Sequence, residues 1–295
     1  GGSIRIPAAV NGLVGLKPTR RRLLDQPGAR QLPVNLVAEG VVSRSVRDTA
    51  RHVGFADRWK REPTLPPIGL VEGPSARRLR IGVLTEDLLG RPIHADVEAV
   101  VRSAADAFAA GHEVEPTRLT LDAAFVDHFK AYWAQFAVLL STAYKAEHRQ
   151  YFDRSKLDPF TRGLAKLTTR RPDKAVTAIR ALRKAQATYD EVFTGVDVVL
   201  SPVLAHPAPP IGEQAPDQPF EQLFDKLTSY VSFTPFNNVG GGPGLALPHG
   251  TFGDRLPGSI HLSAARGDER TLLELGFELE AAHPFPRIAD LAPPV

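Results

Sequence analysis

Two glycines and a serine, Gly1, Gly2 and Ser3, stand in the segment GGSIRIPAAVNGLVGLKPT. Because glycine tolerates backbone conformations with positive φ, these residues can turn successive N–H groups toward one point. Such convergent donors stabilise the oxyanion of acyl transfer, and the serine hydroxyl beside them is a candidate nucleophile. The IRIPAA stretch that follows predicts a helix, whose N-terminal dipole also favours negative charge. On the residues alone an alternative stays open, in which Ser3 only caps this helix.

Other kinds of site find little support in the sequence. The nine histidines are scattered without a His-Glu-x-x-His pattern, and His112 and Glu113 lie on a predicted strand, where neighbouring side chains face opposite sides. The glycine-rich stretch NVGGGPG (238–244) lacks the Lys-Ser/Thr of a phosphate-binding loop and precedes a predicted strand. The chain has no cysteine, which excludes thiolate ligands and a cysteine nucleophile within it. We therefore predict no metal and no cofactor.

The charge pattern does not indicate a nucleic-acid or membrane surface. The chain has 36 Lys and Arg against 33 Asp and Glu, a net charge of +3. Its basic clusters, at 20–22, 77–80 and 170–171, lack interleaved aromatic residues and are interpreted as solvated loop charges. No apolar run approaches the roughly 20 residues that span a bilayer, and no signal-peptide pattern is present. The prediction is a cytoplasmic protein without nucleic-acid or membrane partners.

Alternating helix and strand patterns predict how the candidate residues are positioned. An apolar strand at 79–84, a helix at 96–110 and a second strand at 112–118 indicate a parallel crossover. Helical spacing is also present in 41–59, further helices are predicted at 121–144, 171–193 and 268–282, and further strands are predicted in VDVVLSPV, GPGLALPHG and LPGSIHLSAA. The helix at 121–144 carries an aromatic stripe, interpreted as its core face, at Phe125, Phe129, Trp133 and Phe136. These patterns predict the α/β class with a mixed sheet.

Several motifs, in order along the chain, resemble the amidase-signature hydrolases. GGSIRIPAAVNGLVGLKPT (1–19) is similar to the end of the family signature, and EGVVSRSVRDTA (39–50) is similar to its Arg-Ser-Val-x-Asp segment. LSPVLAHPAPPIG, FTPFNNVGGGPGLALPHG and RGDERTLLELGFELEAA resemble later family segments. The resemblance implies a central mixed β-sheet covered by helices on both sides. It also implies that residues 1–295 form the C-terminal part of a single amidase-signature domain.

The resemblance implies a Ser-cisSer-Lys triad in which Ser3 is the acylated nucleophile. The N–H groups of Gly1, Gly2 and Ser3 would form the oxyanion hole. In the family the lysine and the cis serine lie upstream of the nucleophile, so neither has a counterpart in these 295 residues. Lys17 falls in the Gly-Leu-Lys-Pro segment and is interpreted as structural, not as the base.

Three further positions take supporting roles in this resemblance. Arg5 is expected to hold the nucleophile loop through an upstream carboxylate. Phe236 and Asn238 lie in the segment that borders the substrate pocket, although Asn238 could equally satisfy backbone groups of the glycine turn.

The leading hypothesis is hydrolysis of a small or oligomeric carboxamide, as in stand-alone bacterial amidases such as cyclic-amide, nylon-oligomer and aryl acylamide hydrolases. One alternative is a non-catalytic half, or a subunit that needs a partner chain carrying the lysine. A tRNA-linked amidotransferase subunit fits less well, because RRRLLDQPGARQLPVNLVAEG lacks that branch's Ser-Ser-Leu-Asp-Gln segment. The expected partners are an amide substrate and either a second copy or a chain carrying the N-terminal half.

Overall fold

Seven strands form one mixed sheet in the computed structural model, which describes residues 2–23, 32–59, 62–119, 125, 127–132, 153–170, 172–253 and 255–286. The strands are β1 (Val14–Lys17), β2 (Val42–Ser43), β3 (Arg80–Val83), β4 (Glu113–Pro116), β5 (Val198–Ser201), β6 (Gly244–Phe252) and β7 (Leu256–Ala264). Their order is β2-β1-β6-β7-β5-β3-β4. Strand β3 runs parallel to β4 and β5, and the other pairs are antiparallel. The predicted parallel crossover and mixed sheet are confirmed.

Helices flank the strands along the described chain. They are α1 (Arg5–Val10), α2 (Val46–Trp59), α3 (Ala95–Ala109), α4 (Pro159–Arg170), α5 (Pro172–Gly195), α6 (Phe220–Tyr230), α7 (Pro235–Gly240) and α8 (Glu269–Ala282), with a 3-10 turn at Arg154–Lys156. The predicted helices at 96–110, 171–193 and 268–282 correspond to α3, α5 and α8. In the segment 41–59 the helix α2 begins only at Val46, because Val42–Ser43 form β2. Of the helix predicted at 121–144, residues 127–132 are helical, while Trp133 and Phe136 lie outside the described residues.

The chain divides into two compact units. The first comprises Gly1–Thr120, Gln186–Ala208 and Val231–Val295 and contains the sheet. The second comprises Leu121–Ala185 and Pro209–Tyr230. Within the second unit, α4 packs on α6 through Phe160, Phe220 and Phe224, whose ring centroids lie 5.2 to 6.0 Å apart. That residues 1–295 belong to one amidase-signature domain stays a prediction.

Alternation along the strands gives the sheet one apolar face and one polar face. On β7, Ile260, Leu262 and Ala264 belong to the main core, together with residues of α2, α3 and α8. Their neighbours on the opposite face are Ser259, His261 and Ser263. Helix α1 contacts β1, β6 and β7, and its Arg5 reaches His261. Helices therefore cover both faces, as expected, and α1 lies on the polar one.

The interpretation of the 20–22 cluster as solvated charge is wrong for Arg22. This side chain is 0% exposed and pairs with Glu269 at 2.7 Å and with Asp57 at 3.2 Å. Arg20 is partly buried, and Arg21 is exposed. A basic run in the sequence does not reveal the buried carboxylates that oppose it, because Glu269 lies 247 positions away.

The first turn of α8 is capped by Asp268. Its Oδ1 accepts hydrogen bonds from the Thr271 backbone N at 3.3 Å and from the Thr271 hydroxyl at 2.7 Å. We expect Asp268→Ala to lower the free energy of unfolding by about 1 kcal/mol, because the first turn loses this acceptor. Urea denaturation measures the change. Asp268→Asn, which keeps an acceptor oxygen, is the matched control, and an alanine variant as stable as this control would contradict the cap's role.

The described residues contain neither a membrane-spanning helix nor a metal-binding cluster. None of the described helices is both long enough and apolar enough to cross a bilayer. Within the same residues, no group of three or more His, Cys, Asp or Glu side chains is placed to hold a metal ion.

Candidate active site

Ser3 lies in a turn immediately before α1, with its side chain exposed. The preceding Gly2 is buried and has φ +127°, a conformation that L side chains rarely adopt. The carbonyl of Gly2 accepts a hydrogen bond from the N–H of Ile6 at 2.8 Å, which joins the turn to the helix. Gly1 lies outside the described residues.

The alternative in which Ser3 caps α1 is wrong. The residue at the cap position is Ile4, and no side chain caps this end of the helix. Among the described residues, the Ser3 hydroxyl has no hydrogen-bond partner. The hydroxyl is therefore exposed, and no described residue engages it in a structural hydrogen bond.

The glycine at position 2 is required by its surroundings as well as by its φ. A Cβ on Gly2 would contact the Ile6 side chain and lie 2.7 Å from the Thr234 hydroxyl. Thr234 is the residue that precedes α7. The Ser3 turn therefore lies directly against the start of α7, which brings together the two segments that the sequence singled out.

Arg5 links the Ser3 turn to α7 and β7 through hydrogen bonds of its guanidinium group. It is 0% exposed, and its Nη1 contacts Asn237 Oδ1 at 2.8 Å and His261 Nε2 at 2.9 Å. Its Nη2 donates to the Thr234 carbonyl at 2.9 Å and to Asn238 Oδ1 at 2.6 Å. Burial lowers the pKa of the Arg5 guanidinium to about 9, so it keeps its charge at neutral pH.

Asn238 and Phe236, predicted at the substrate pocket, are buried supports in this structure. Asn238 accepts from Arg5 and donates through Nδ2 to the Leu36 carbonyl at 2.6 Å. The Phe236 ring is 5% exposed and packs against Tyr189, with ring centroids 4.7 Å apart. These contacts favour positioning roles for both residues, although the backbone group that Asn238 binds is on Leu36 and outside the glycine turn. A contact of either residue with substrate stays a prediction.

Tyr189 is part of the same buried cluster. Its hydroxyl donates to the Ala264 carbonyl at 2.7 Å, and burial raises the pKa of this phenol. A Cβ at Gly240 or Gly242 would collide with its ring, so the glycine-rich stretch serves to admit the aromatic side chain. Packing of Tyr189 therefore explains two glycines of this stretch, and no phosphate ligand is needed to explain them.

Arg20 holds the C-terminal end of α7, and Lys17 holds the glycine turn that follows it. Lys17 Nζ donates to the carbonyls of Pro18 at 2.7 Å and Gly242 at 2.8 Å, and Arg20 Nη2 donates to Asn238 O at 2.8 Å and Val239 O at 2.5 Å. Burial, followed by the nearby charges of Arg5 and Arg20, lowers the pKa of Lys17 well below its ordinary value. The contacts agree with the structural interpretation of Lys17.

His261, Ser201 and Gly244 are residues of the site that sequence reasoning missed. Ser201 on β5 pairs with His261 on β7, and its hydroxyl lies 3.4 Å from His261 Nδ1. A Cβ on Gly244 would lie 2.6 Å from His261 Nε2 and 2.9 Å from Arg5 Nη1. The available signal was the alternation in SIHLSA, where polar residues recur at every second position of an otherwise apolar strand.

Comparisons with known proteins agree on one family. The family model described as Amidase matches residues 1–273. AmiC of Mycobacterium tuberculosis is 41% identical over 289 residues, which cover 98% of this chain and 61% of that protein. The 6-aminohexanoate-cyclic-dimer hydrolase of a Pseudomonas species is 29% identical, with 96% and 62% covered. A solved structure of 6-aminohexanoate cyclic dimer hydrolase complexed with substrate superposes with a TM-score of 0.85 at 26% identity, covering 96% of this chain and 63% of the other. The chain thus spans about three-fifths of the length of these relatives.

Proposed function

Because the chain belongs to the amidase family, we propose that it supplies the nucleophile of an amide hydrolase, with Ser3 as the residue that becomes acylated. The observation that carries this proposal is the exposed Ser3 hydroxyl on a glycine turn with positive φ, next to the buried Arg5 that bonds the start of α7. A reacting group that neighbouring hydrogen bonds hold in one place is a frequent feature of active sites.

The proposed reaction has two steps. Ser3 Oγ attacks the amide carbonyl carbon, and its proton passes to the leaving amine through a base. The oxyanion formed on the carbonyl oxygen would be held by the N–H groups of Gly1, Gly2 and Ser3. The C–N bond breaks to leave an ester on Ser3, which water then cleaves to the carboxylic acid, restoring the hydroxyl.

The base is implied by the family resemblance and is not supplied by these 295 residues. A lysine and a cis serine would come from a segment upstream of Ser3 or from a partner chain. Arg5 fits such an arrangement, because its buried Nε has no hydrogen-bond partner among the described residues. That N–H is a donor for the upstream carboxylate expected to hold the nucleophile loop.

The proposed substrate is a small carboxamide, linear or cyclic, and no cofactor is required by the chemistry. Several relatives have names that describe amide cleavage, including the cyclic-dimer hydrolase, and these names support this substrate class. A cytoplasmic location, and assembly with a second copy or a chain carrying the lysine, belong to the same proposal.

The test is covalent labelling of the complete gene product with a fluorophosphonate, followed by tryptic digestion and mass spectrometry. We expect the label on the peptide that ends at Arg5. Labelling of a different serine would overturn the assignment of Ser3. A chain that is labelled only after a complementary chain is added would support the partner-dependent form instead of the self-sufficient enzyme.

A further inference from the structure

The buried imidazole of His261 has a defined tautomer. Its Nε2 lies 2.9 Å from Arg5 Nη1, and a guanidinium can donate but cannot accept a hydrogen bond. Nε2 must therefore be the acceptor, which leaves the ring proton on Nδ1. That atom faces the Ser201 hydroxyl at 3.4 Å, and the hydroxyl in turn donates to the Pro202 carbonyl at 3.0 Å.

The four hydrogens on Nη1 and Nη2 of Arg5 each have one acceptor. Three acceptors are oxygens of amide groups, on Thr234, Asn237 and Asn238, and these do not titrate. The fourth is His261 Nε2, which can accept only while the imidazole is neutral. Protonation of this ring would replace one hydrogen bond of Arg5 with a contact between two cations.

We propose that neutral His261 is a positioning residue for Ser3, which it orients through Arg5, and that protonation of His261 releases the Ser3 turn. The proposal rests on the proposed function of Ser3. Arg5 begins α1 two residues after Ser3, so a displaced guanidinium moves the helix start and the turn joined to it through the Ile6–Gly2 hydrogen bond. His261 contacts Arg5 and not Ser3, so its effect on Ser3 passes through Arg5 and the start of α1. It contacts no reacting atom.

The surroundings of His261 favour its neutral form. The charged groups that face it are Arg5 from α1 and Lys17 from β1, while Ser201 from β5 and Asn237 from α7 contribute uncharged groups. Burial first, and then these two cations, lower the pKa of His261 well below the ordinary 6.5. Gly244 allows this close approach of His261 and Arg5, because a Cβ at that position would collide with both.

The sign of the pH effect follows from this depressed pKa. Below pH 6.5 His261 becomes protonated in the unfolded chain but stays neutral in the folded one. Its contribution to the free energy of unfolding is therefore complete above pH 6.5 and decreases as the pH drops toward the folded pKa. The geometry of the Ser3 turn persists until that lower folded pKa is reached. In the parent protein the labelling rate should therefore fall at acidic pH as His261 becomes protonated, which we call the acid limb of the pH profile. This limb should disappear when His261 is replaced by a residue that does not titrate.

The experiment compares His261→Gln, His261→Leu and His112→Leu in the complete gene product, using the rate of fluorophosphonate labelling at Ser3 as a function of pH. His112 is the matched control, because it is also buried and hydrogen-bonded, but to Leu79 N and Glu278. We expect His261→Leu to slow labelling on the order of tenfold to a hundredfold, the loss typical of a misplaced reacting group. His261→Gln, whose amide oxygen can accept from Arg5, should stay within about threefold of the parent and lose the acid limb. His112→Leu should leave both the rate and its pH profile unchanged.

A second measurement does not depend on activity. Nitrogen-15 NMR of the histidine rings at pH 6.5, where an ordinary histidine is about half protonated, should show His261 neutral with its proton on Nδ1. A proton on Nε2, a protonated ring, or a His261→Leu variant labelled as fast as the parent would overturn the proposal. A parent protein that is not labelled at Ser3 would overturn the proposed function instead, and the NMR result would then decide the state of His261 separately.

Discussion

Replacing Ser3 with alanine is expected to lower amide hydrolysis by about 10⁴-fold or more, since removal of an acylated nucleophile leaves only binding and oxyanion stabilisation. The same change should alter the free energy of unfolding by less than about 0.5 kcal/mol. The second expectation follows from the exposed Ser3 side chain, which has no hydrogen-bond partner among the described residues. Turnover of a panel of anilides, aliphatic amides and cyclic amides, paired with urea denaturation, measures both effects.

The matched control for this prediction is Ser103→Ala. Ser103 is an exposed serine on α3, and its hydroxyl lies 3.2 Å from His249 Nε2 on β6. This variant should keep the parent's turnover. A Ser3→Ala variant that retains most of the parent's amide turnover would contradict the nucleophile assignment. So would a variant that loses its turnover together with its fold.

Replacing Arg22 with alanine is expected to have the largest effect on stability, a loss of about 3 to 5 kcal/mol, because it strands two buried carboxylates without a counter-charge. Arg22 pairs with Glu269 and Asp57 and also donates to the carbonyls of Pro66 at 2.5 Å and Gly267 at 2.8 Å. A lysine cannot reproduce this planar set of donors, so Arg22→Lys should also be destabilising. Denaturant unfolding followed by circular dichroism gives the values.

Arg47 provides the control for the buried network. It pairs with Asp48 at 3.1 Å, but the two side chains are 62% and 51% exposed. Arg47→Ala should therefore change the free energy of unfolding by less than about 1 kcal/mol. If the Arg22 and Arg47 variants lose equal stability, burial does not set the strength of the Arg22 network.

Elements whose apolar residues repeat with a clear period could be located from the sequence. The spacing of Val46, Ala50 and Val53 predicts α2, and these three residues do lie in the core. The run at 79–84 and the helix after it predict the parallel pairing of β3 with β4. Local periodicity suffices here because each residue's burial depends on its own element facing one core.

The candidate site was less predictable, because its contacts join positions far apart in the chain. The motif around Ser3 and the resemblance it carries pointed to the turn, but not to the partners of Arg5 on α7 and β7. Arg22 looks like its exposed neighbour Arg21, and only the fold brings Glu269 to it. His261 looks like one of several alternating polar residues of a strand until the fold places it against Arg5.

Helix α7 has six residues, too few for a helix that is stable in isolation. Arg5 bonds the carbonyl of Thr234 at its start, although the two residues are 229 positions apart, while Arg20 bonds the carbonyls of Asn238 and Val239 at its end. Neither α7 nor the segment from Gly2 to Arg20 can open without breaking the bonds of the other. We expect the two to open together as one foldon, so that an event that releases the Ser3 turn also loosens α7.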